Sequence, residues 1–315
     1  MVWQDFPNLR RKGQVNYLTA QDGCHLRTAS WPTDENSKAI IVLVNGHREY
    51  MEKYSEFITD LLARDLAVYT LDNRGQGLSD RLLSDRLKSY IPDFDLFVSD
   101  LDEYVSQVVK KDPRATELPI CLIGHSMGGN ICLRYLHEHP GHIDKAVLFS
   151  PMLGMTLGSP FKDHLARTLI SGLCRIGLGK AAFPGQAGRF SRAGHQAYMP
   201  KVTHDADRFR QETDFLDANP DHYVGGPTFA WLRAALISAD EVMAPGYMDV
   251  VTLPLLAILA GEDTLVDNRM AEKIFAERAN VKQVTIDGAR HEVYRELDRY
   301  RDILWRNMDE FLALQ

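Results

Sequence analysis

The sequence predicts an α/β protein: a doubly wound, mostly parallel sheet carrying one inserted, mainly helical cap. Three features predict it. Short, near-continuous apolar runs recur along the 315 residues and alternate with helical patterns, as a parallel sheet covered on both faces requires. Most of these runs end in Gly, Asp, Asn or Ser, the residues of turns. The alternation fails once, over about a hundred residues, too long for a structureless loop in a compact domain.

In chain order, QVNYLTAQDG and CHLRTASWP read as an opening hairpin around Asp22-Gly23. Buried strands follow at AIIVLVNG (39–46), LAVYTLDN (66–73), PICLIGHS (119–126), KAVLFSP (145–151), PLLAILAGED (254–263) and VKQVTIDG (281–288). Helical stripes lie between them at 51–65, 94–111 and 271–279, and a last one over 296–315 closes the chain. Residues 152–250 hold no convincing core strand and are rich in Gly, Pro and helical fragments. They are assigned to the cap, leaving 1–151 and 251–315 as the core.

Composition narrows the function classes. The chain is 45% apolar and 25% charged, which supports a large packed domain and argues against long disorder. A net charge of −7 and a pI near 5.9 disfavour nonspecific binding to nucleic acid. No apolar run is long enough to span a bilayer, and the first residues lack the apolar core of a signal peptide. Cys24, Cys121, Cys132 and Cys174 are far apart and read as reduced thiols. These features together suit a cytoplasmic protein.

The stretch ICLIGHSMGGNICLRY (120–135) carries the chemistry. Gly124-His125-Ser126-Met127-Gly128 fits a nucleophile elbow, a sharp turn between a strand and a helix. The turn strains the backbone at the serine, so Gly124 and Gly128 on either side must be small. The pattern alone is common; a strand before it and a helix after it make it specific. At such a turn the Met127 amide sits at a helix start, where it can hold an oxyanion. A second amide donor is expected from His47, in the loop after the 39–46 strand.

A serine hydroxyl needs a base, and the base needs an orienting acid. In this arrangement they follow the serine in the order acid, then histidine, each in a loop after a later strand. His291, in DGARHE, meets this for the base; His125 neighbours the serine and should point elsewhere. Asp263 meets it for the acid. Glu262 and Asp267 share that loop, but an acid at the strand end is better fixed. Three histidines in HEHPGH (137–142) invite a metal reading, yet His137 and His139 do not share a helix face and Pro140 ends the helix. RGQG at 74–77 lacks the third glycine of a dinucleotide turn. No metal or cofactor is needed for the expected chemistry.

NGHREYMEKYSEF, LDNRGQGLSDRL, GHSMGG, LVDNRM and GARHE resemble the α/β-hydrolase branch that contains monoacylglycerol lipases and bacterial lysophospholipases. VGGPTFAWLRAAL (224–236) and VDNRM (266–270) resemble the lysophospholipase L2 group more narrowly. The likeness covers nearly the whole chain, cap included. It implies a catalytic triad of Ser126, Asp263 and His291, with the His47 and Met127 amides as oxyanion hole. It also implies a single-acyl lipid ester as substrate, a lysophospholipid ahead of a monoglyceride or another ester. One departure stands out: monoacylglycerol lipases usually have His-Gly where this chain has Asn45-Gly46. A peptidase of the same fold and a non-catalytic binding protein are the rival classes.

The cap is electrically lopsided, basic over 152–201 and acidic over 202–249. In the basic half, Phe161, Leu165, Leu169, Leu173 and Ile176 form one helical stripe, with Arg167 and Arg175 pointing away from it. Such a stripe ordinarily packs on the core. A basic amphipathic helix can instead lie on an anionic lipid surface, with those two arginines meeting the interface or a substrate phosphate.

Overall fold

The computed structural model describes residues 13–154, 160–184 and 190–313; the side chains of residues 160–162 are outside the description. Eight strands form one sheet: β1 (Gln14–Thr19), β2 (His25–Trp31), β3 (Ala39–Val44), β4 (Leu66–Leu71), β5 (Ile120–His125), β6 (Lys145–Phe149), β7 (Leu255–Ala260) and β8 (Val281–Ile286). Their order is β1-β2-β4-β3-β5-β6-β7-β8. β1 and β2 make the expected hairpin, and β2 runs antiparallel to β4; every other neighbouring pair is parallel. At the hairpin turn Gly23 has φ +85°, a conformation that glycine adopts without a steric penalty.

β3, β4, β5 and β7 are buried along their whole lengths. Their unbroken runs of Val, Ile, Leu and Ala are explained by cover on both faces. On one face lie α1 (Ser55–Leu62), with Phe57 and Leu61, and α10 (Asp298–Leu312), with Leu304 and Met308. On the other lie α2 (Asp95–Gln107) and α3 (Met127–Glu138), joined by α9 (Asn268–Phe275). This last helix begins three residues before the stripe read at 271–279, because Asp267 caps it by accepting from the Arg269 amide at 3.1 Å.

After β3 the chain moves to β4 on one side, then crosses to β5 on the other. Strand order reverses there, so the connections leaving the carboxyl ends of β3 and β5 run to opposite faces of the sheet and leave a crevice between them. Val44 and Gly124 pair at that edge. Both the loop bearing His47 and the turn bearing Ser126 start from it.

Between β6 and β7 the described residues form five α-helices, with short 3-10 turns between and after them: α4 (Pro160–Arg175), α5 (Arg192–Gln196), α6 (Met199–Val202), α7 (Ala206–Ala218) and α8 (Phe229–Val242). This is an inserted, mainly helical cap over the crevice. The Ser238 hydroxyl in α8 donates to Asn130 of α3 at 2.6 Å. Arg208 in α7 reaches Glu56 and Asp298 of the core, each at 2.7 Å.

The cap corrects two expectations. Two arginines of its basic half pair with its acidic half: Arg167 reaches Asp240 at 2.7 Å, besides Asp163 of its own helix at 2.7 Å, and Arg192 bridges Asp214 at 2.8 Å and Asp217 at 2.9 Å. The charge asymmetry of the sequence is therefore internal complementarity in part, while Arg175, Lys180 and Lys201 remain exposed. The apolar stripe of α4, moreover, does not pack on the core. Leu165, Leu169 and Ile176 are 58%, 60% and 72% exposed, while Ile170 turns inward and is buried. Phe161 lies outside the described side chains.

Candidate active site

Ser126 stands between β5 and α3 with φ 52° and ψ −115°, a backbone state that L-residues adopt only under constraint, at about 1–3 kcal/mol. The neighbouring glycines are explained by space. A Cβ on Gly128 would lie 2.2 Å from the Val44 carbonyl oxygen, and one on Gly124 would lie 2.6 Å from both Cys132 Sγ and the Gly128 carbonyl oxygen. The turn is held by its own amides, with Ser126 N–H donating to the Phe149 carbonyl at 2.9 Å.

His291 follows β8, and its Nδ1 lies 2.6 Å from Asp263 Oδ2. Both side chains are buried. Asp263 Oδ1 accepts from the amides of Leu265 at 2.8 Å and Val266 at 3.1 Å. Burial works to raise the Asp263 pKa, but the His291 ring and these hydrogen bonds hold it below the ordinary carboxylate range. With Nδ1 engaged, Nε2 remains for the cavity that Ser126 and His291 both line. Of the other two acids in this loop, Glu262 is exposed and faces His204, and Asp267 is spent on capping α9.

The His47 and Met127 amides donate to no protein acceptor among the described residues. They come from the two strand ends flanking the crevice. The loop carrying His47 is rigidly tied: Gly46 N–H donates to Glu49 Oε2 at 2.5 Å, Gln76 Nε2 donates to the Gly46 carbonyl at 3.0 Å, and Asn45 Nδ2 donates to the Leu71 carbonyl at 3.1 Å. The His47 ring stacks on Trp231 at 3.9 Å, with Nε2 2.8 Å from Ser89 Oγ. Burial pushes its pKa down to about 3, so the ring is a neutral wall of the cavity.

The cavity measures about 690 Å³. Met152, Leu169, Ile170, Phe183, Leu265 and Val266 supply apolar lining, drawn from α4, the cap segment after it and the loops after β6 and β7. Its polar part gathers around Lys53, whose ammonium contacts Glu292 at 2.6 Å, Glu49 at 3.1 Å and Glu212 at 3.3 Å. Arg295 closes this buried network on Glu212 at 2.6 Å and Glu292 at 2.8 Å. Burial alone would raise the Glu212 pKa; Lys53 and Arg295 hold it well below the usual range. Arg167 and Arg175 are not among the cavity residues.

A strained serine, two unpaired amides and a carboxylate-bound imidazole around one cavity are the parts that acyl transfer requires. The family model for serine aminopeptidase S33 matches residues 35–298. The chain belongs to that family. Its fold is that of the α/β-hydrolases, and this S33 hydrolase is a serine hydrolase of carboxylic esters. Among its relatives, probable lysophospholipase L2 of Haemophilus influenzae is 32% identical over 278 residues, covering 88% of this chain and 85% of the relative. Human monoglyceride lipase is 26% identical over 319 residues, covering 99% and 91%. A soluble variant of monoglyceride lipase from Saccharomyces cerevisiae, solved with a substrate analog, superposes with a TM-score of 0.77 at 18% identity, covering 96% of each chain.

In this S33 hydrolase some site groups escaped the motif reading. His125, expected only to point away, is buried with Nδ1 3.1 Å from Glu49 and Nε2 3.3 Å from the His291 carbonyl oxygen. Ser150 Oγ donates to that same carbonyl at 2.9 Å. These contacts fix the backbone that carries the imidazole. An acid two residues after His47 was the one sequence signal for this support.

Proposed function

We propose that this hydrolase cleaves the carboxylic ester of a single-acyl lipid, a lysophospholipid foremost, through an acyl-enzyme on Ser126. The carrying observation is the cavity: it joins an apolar lining suited to one acyl chain to a charged, hydrogen-bonding part suited to a head group. Printed names of relatives, lysophospholipase L2 and monoglyceride lipase, support the same class. In this reading His291 Nε2 takes the Ser126 proton as Oγ attacks the ester carbon. The His47 and Met127 amides bind the oxyanion, and Asp263 stabilises the imidazolium. Collapse breaks the bond to the glycerol oxygen, which receives the proton from His291. Water, activated by the same imidazole, then releases the fatty acid and restores Ser126.

A panel of p-nitrophenyl esters, monoglyceride, lysophospholipids and a peptide amide tests this directly. A long single-acyl lipid should give the highest kcat/KM. Acetate or butyrate esters faster than every long-chain substrate by about an order of magnitude would overturn the lipid assignment; a dominant amide would favour the peptidase class.

The same reading places the exposed face of the cap on a lipid surface. Leu165, Leu169, Ile176, Leu178 and Phe183 are exposed together in α4 and the segment after it. Leu169 and Phe183 also line the cavity, so this apolar face is continuous with its mouth. Arg175 and Lys180 stand exposed beside it, as anionic lipid would favour. No helix among the described residues is long and apolar enough to cross a membrane. Contact would be peripheral, at the inner face of the cytoplasmic membrane, where the four free cysteines stay reduced. Changing Leu165 and Ile176 together to serine should weaken binding to anionic vesicles at least about tenfold, since each inserted methylene contributes about 0.8 kcal/mol. Turnover of a soluble short ester should change far less. Unaltered vesicle binding would leave the exposed stripe without this role.

A further inference from the structure

Next to His47, Arg48 adopts φ 64°, in the left-handed region that favours glycine. Its amide is held there by Gln76 Oε1. The turn directs the side chain into the cavity, where it is a lining residue beside Ser126 and His291. A strained arginine where glycine would sit freely points to a use for the side chain.

The groups that anchor the guanidinium are all neutral. Nε donates to the Val224 carbonyl at 3.0 Å, and one terminal nitrogen donates to the Tyr223 hydroxyl at 3.1 Å. The guanidinium carbon lies 5.6 Å from the centre of the Tyr223 ring and 6.0 Å from that of Tyr198. Lys201 also lines the cavity and is exposed. Neither Arg48 nor Lys201 has a carboxylate within ion-pair distance among the described residues.

The acids of the cavity are already engaged. Glu212 and Glu292 are shared between Lys53 and Arg295. Glu49 contacts Lys53, accepts from the Gly46 amide and the Tyr54 and Tyr294 hydroxyls, and faces His125. Lys53 and Arg295 face three carboxylates, so with Arg48 and Lys201 the cavity carries one net positive charge, and neither of these last two cations has a carboxylate counter-charge in contact among the described residues. An anion brought by the ligand would supply it, and a planar guanidinium with a free edge suits phosphate oxygens.

We propose that Arg48, assisted by Lys201, binds the phosphate of the substrate head group and sets the preference for lysophospholipid over monoglyceride. Position supports it: the residue before Arg48 carries an amide assigned to the ester oxyanion, and in a lysophospholipid the phosphate hangs from the glycerol that bears that ester. The inference rests on the single-acyl lipid reading above.

The test is the ratio of kcat/KM for lysophosphatidylcholine to that for a monoacylglycerol of the same chain, in wild type, Arg48→Gln and Arg48→Gly. Glycine relieves the left-handed backbone, so its loop is the less perturbed of the two. The ratio should fall about 10- to 100-fold in both variants, mainly through KM, as expected for loss of a charge-assisted contact. Arg48→Lys should fall between, because an ammonium keeps the charge but loses the planar fork. Glycerophosphocholine should compete with a soluble ester in wild type and lose potency in Arg48→Gln, whereas inorganic phosphate should compete at least about tenfold more weakly than glycerophosphocholine. An unchanged ratio, or equal loss on both lipids in both variants, overturns the proposal. Equal inhibition by inorganic phosphate overturns it in favour of a free-anion site. Wild-type protein that turns over neither lipid would instead sink the underlying function, whatever the variants do.

Discussion

Replacing Ser126 with alanine is expected to lower kcat on any ester by roughly 10⁵-fold and to abolish labelling by a fluorophosphonate probe. The size follows from the proposed chemistry. Without Oγ there is no acyl-enzyme, and the remaining groups could only help water attack a bound ester. The two unpaired amides and the cavity would still act, so some catalysis above the uncatalysed rate should persist. The fold should survive, because the turn is held by backbone contacts: Ser126 N–H to Phe149, and the Gly129 and Met152 amides to the Ser126 carbonyl, each at 2.9 Å. Alanine meets the same strain at φ 52° that serine does. Steady-state kinetics, probe mass spectrometry and circular dichroism on one preparation decide the matter. A variant retaining more than about a hundredth of wild-type turnover would remove Ser126 from the reaction.

The elbow was legible in the sequence because its constraints are local. Gly124 and Gly128 must be small, since any Cβ would strike backbone or sulfur within 2.2–2.6 Å. The positions of β3, β4, β5 and β7 were legible for a similar reason, as each is apolar along nearly its whole length and buried throughout. By contrast β8, expected to be buried, is an edge strand in which Ile286 alone is fully buried, because only one neighbouring strand covers it. What stayed hidden depends on packing between distant segments. Lys53 comes from the core and Glu212 from the cap, and nothing in either local sequence says that they meet at 3.3 Å. The stripe on α4 was visible as a periodic pattern, but periodicity does not say which face turns inward. There Ala166, Leu169 and Ile170 line the cavity, while Leu165 and Ile176 of the stripe are left outside. Likewise, the basic half of the cap read as a surface for external anions, while Arg167 and Arg192 find their carboxylates within the cap. Arg48, a lone arginine in a loop, carries no sequence signal; its left-handed backbone and neutral surroundings exist only in the folded chain.

Asp263→Asn should cost about 10³–10⁴ in kcat, nearly as much as loss of the nucleophile, although the side chain keeps its shape. The reason lies in what surrounds the carboxylate. Oδ1 accepts from the Leu265 and Val266 amides, and Oδ2 lies 2.6 Å from His291 Nδ1. An asparagine has one acceptor oxygen. Two backbone donors claim it, which turns the side-chain NH₂ toward His291. Nδ1 must then accept rather than donate, so the ring proton moves to Nε2, the atom required to receive the Ser126 proton. Flipping the amide would restore the tautomer only by driving NH₂ against two N–H groups. The loss should therefore appear in kcat, with stability changed by about 1–3 kcal/mol at most. Nitrogen NMR of the His291 ring should show protonation at Nε2 in the variant and at Nδ1 in the wild type near neutral pH. Glu262→Gln, in the same loop but facing His204 at 3.6 Å, should stay within a few-fold of wild type. If Asp263→Asn kept a tenth of wild-type kcat while Glu262→Gln lost most of it, the orienting acid would be Glu262, and the buried pair of Asp263 and His291 would be a structural contact only.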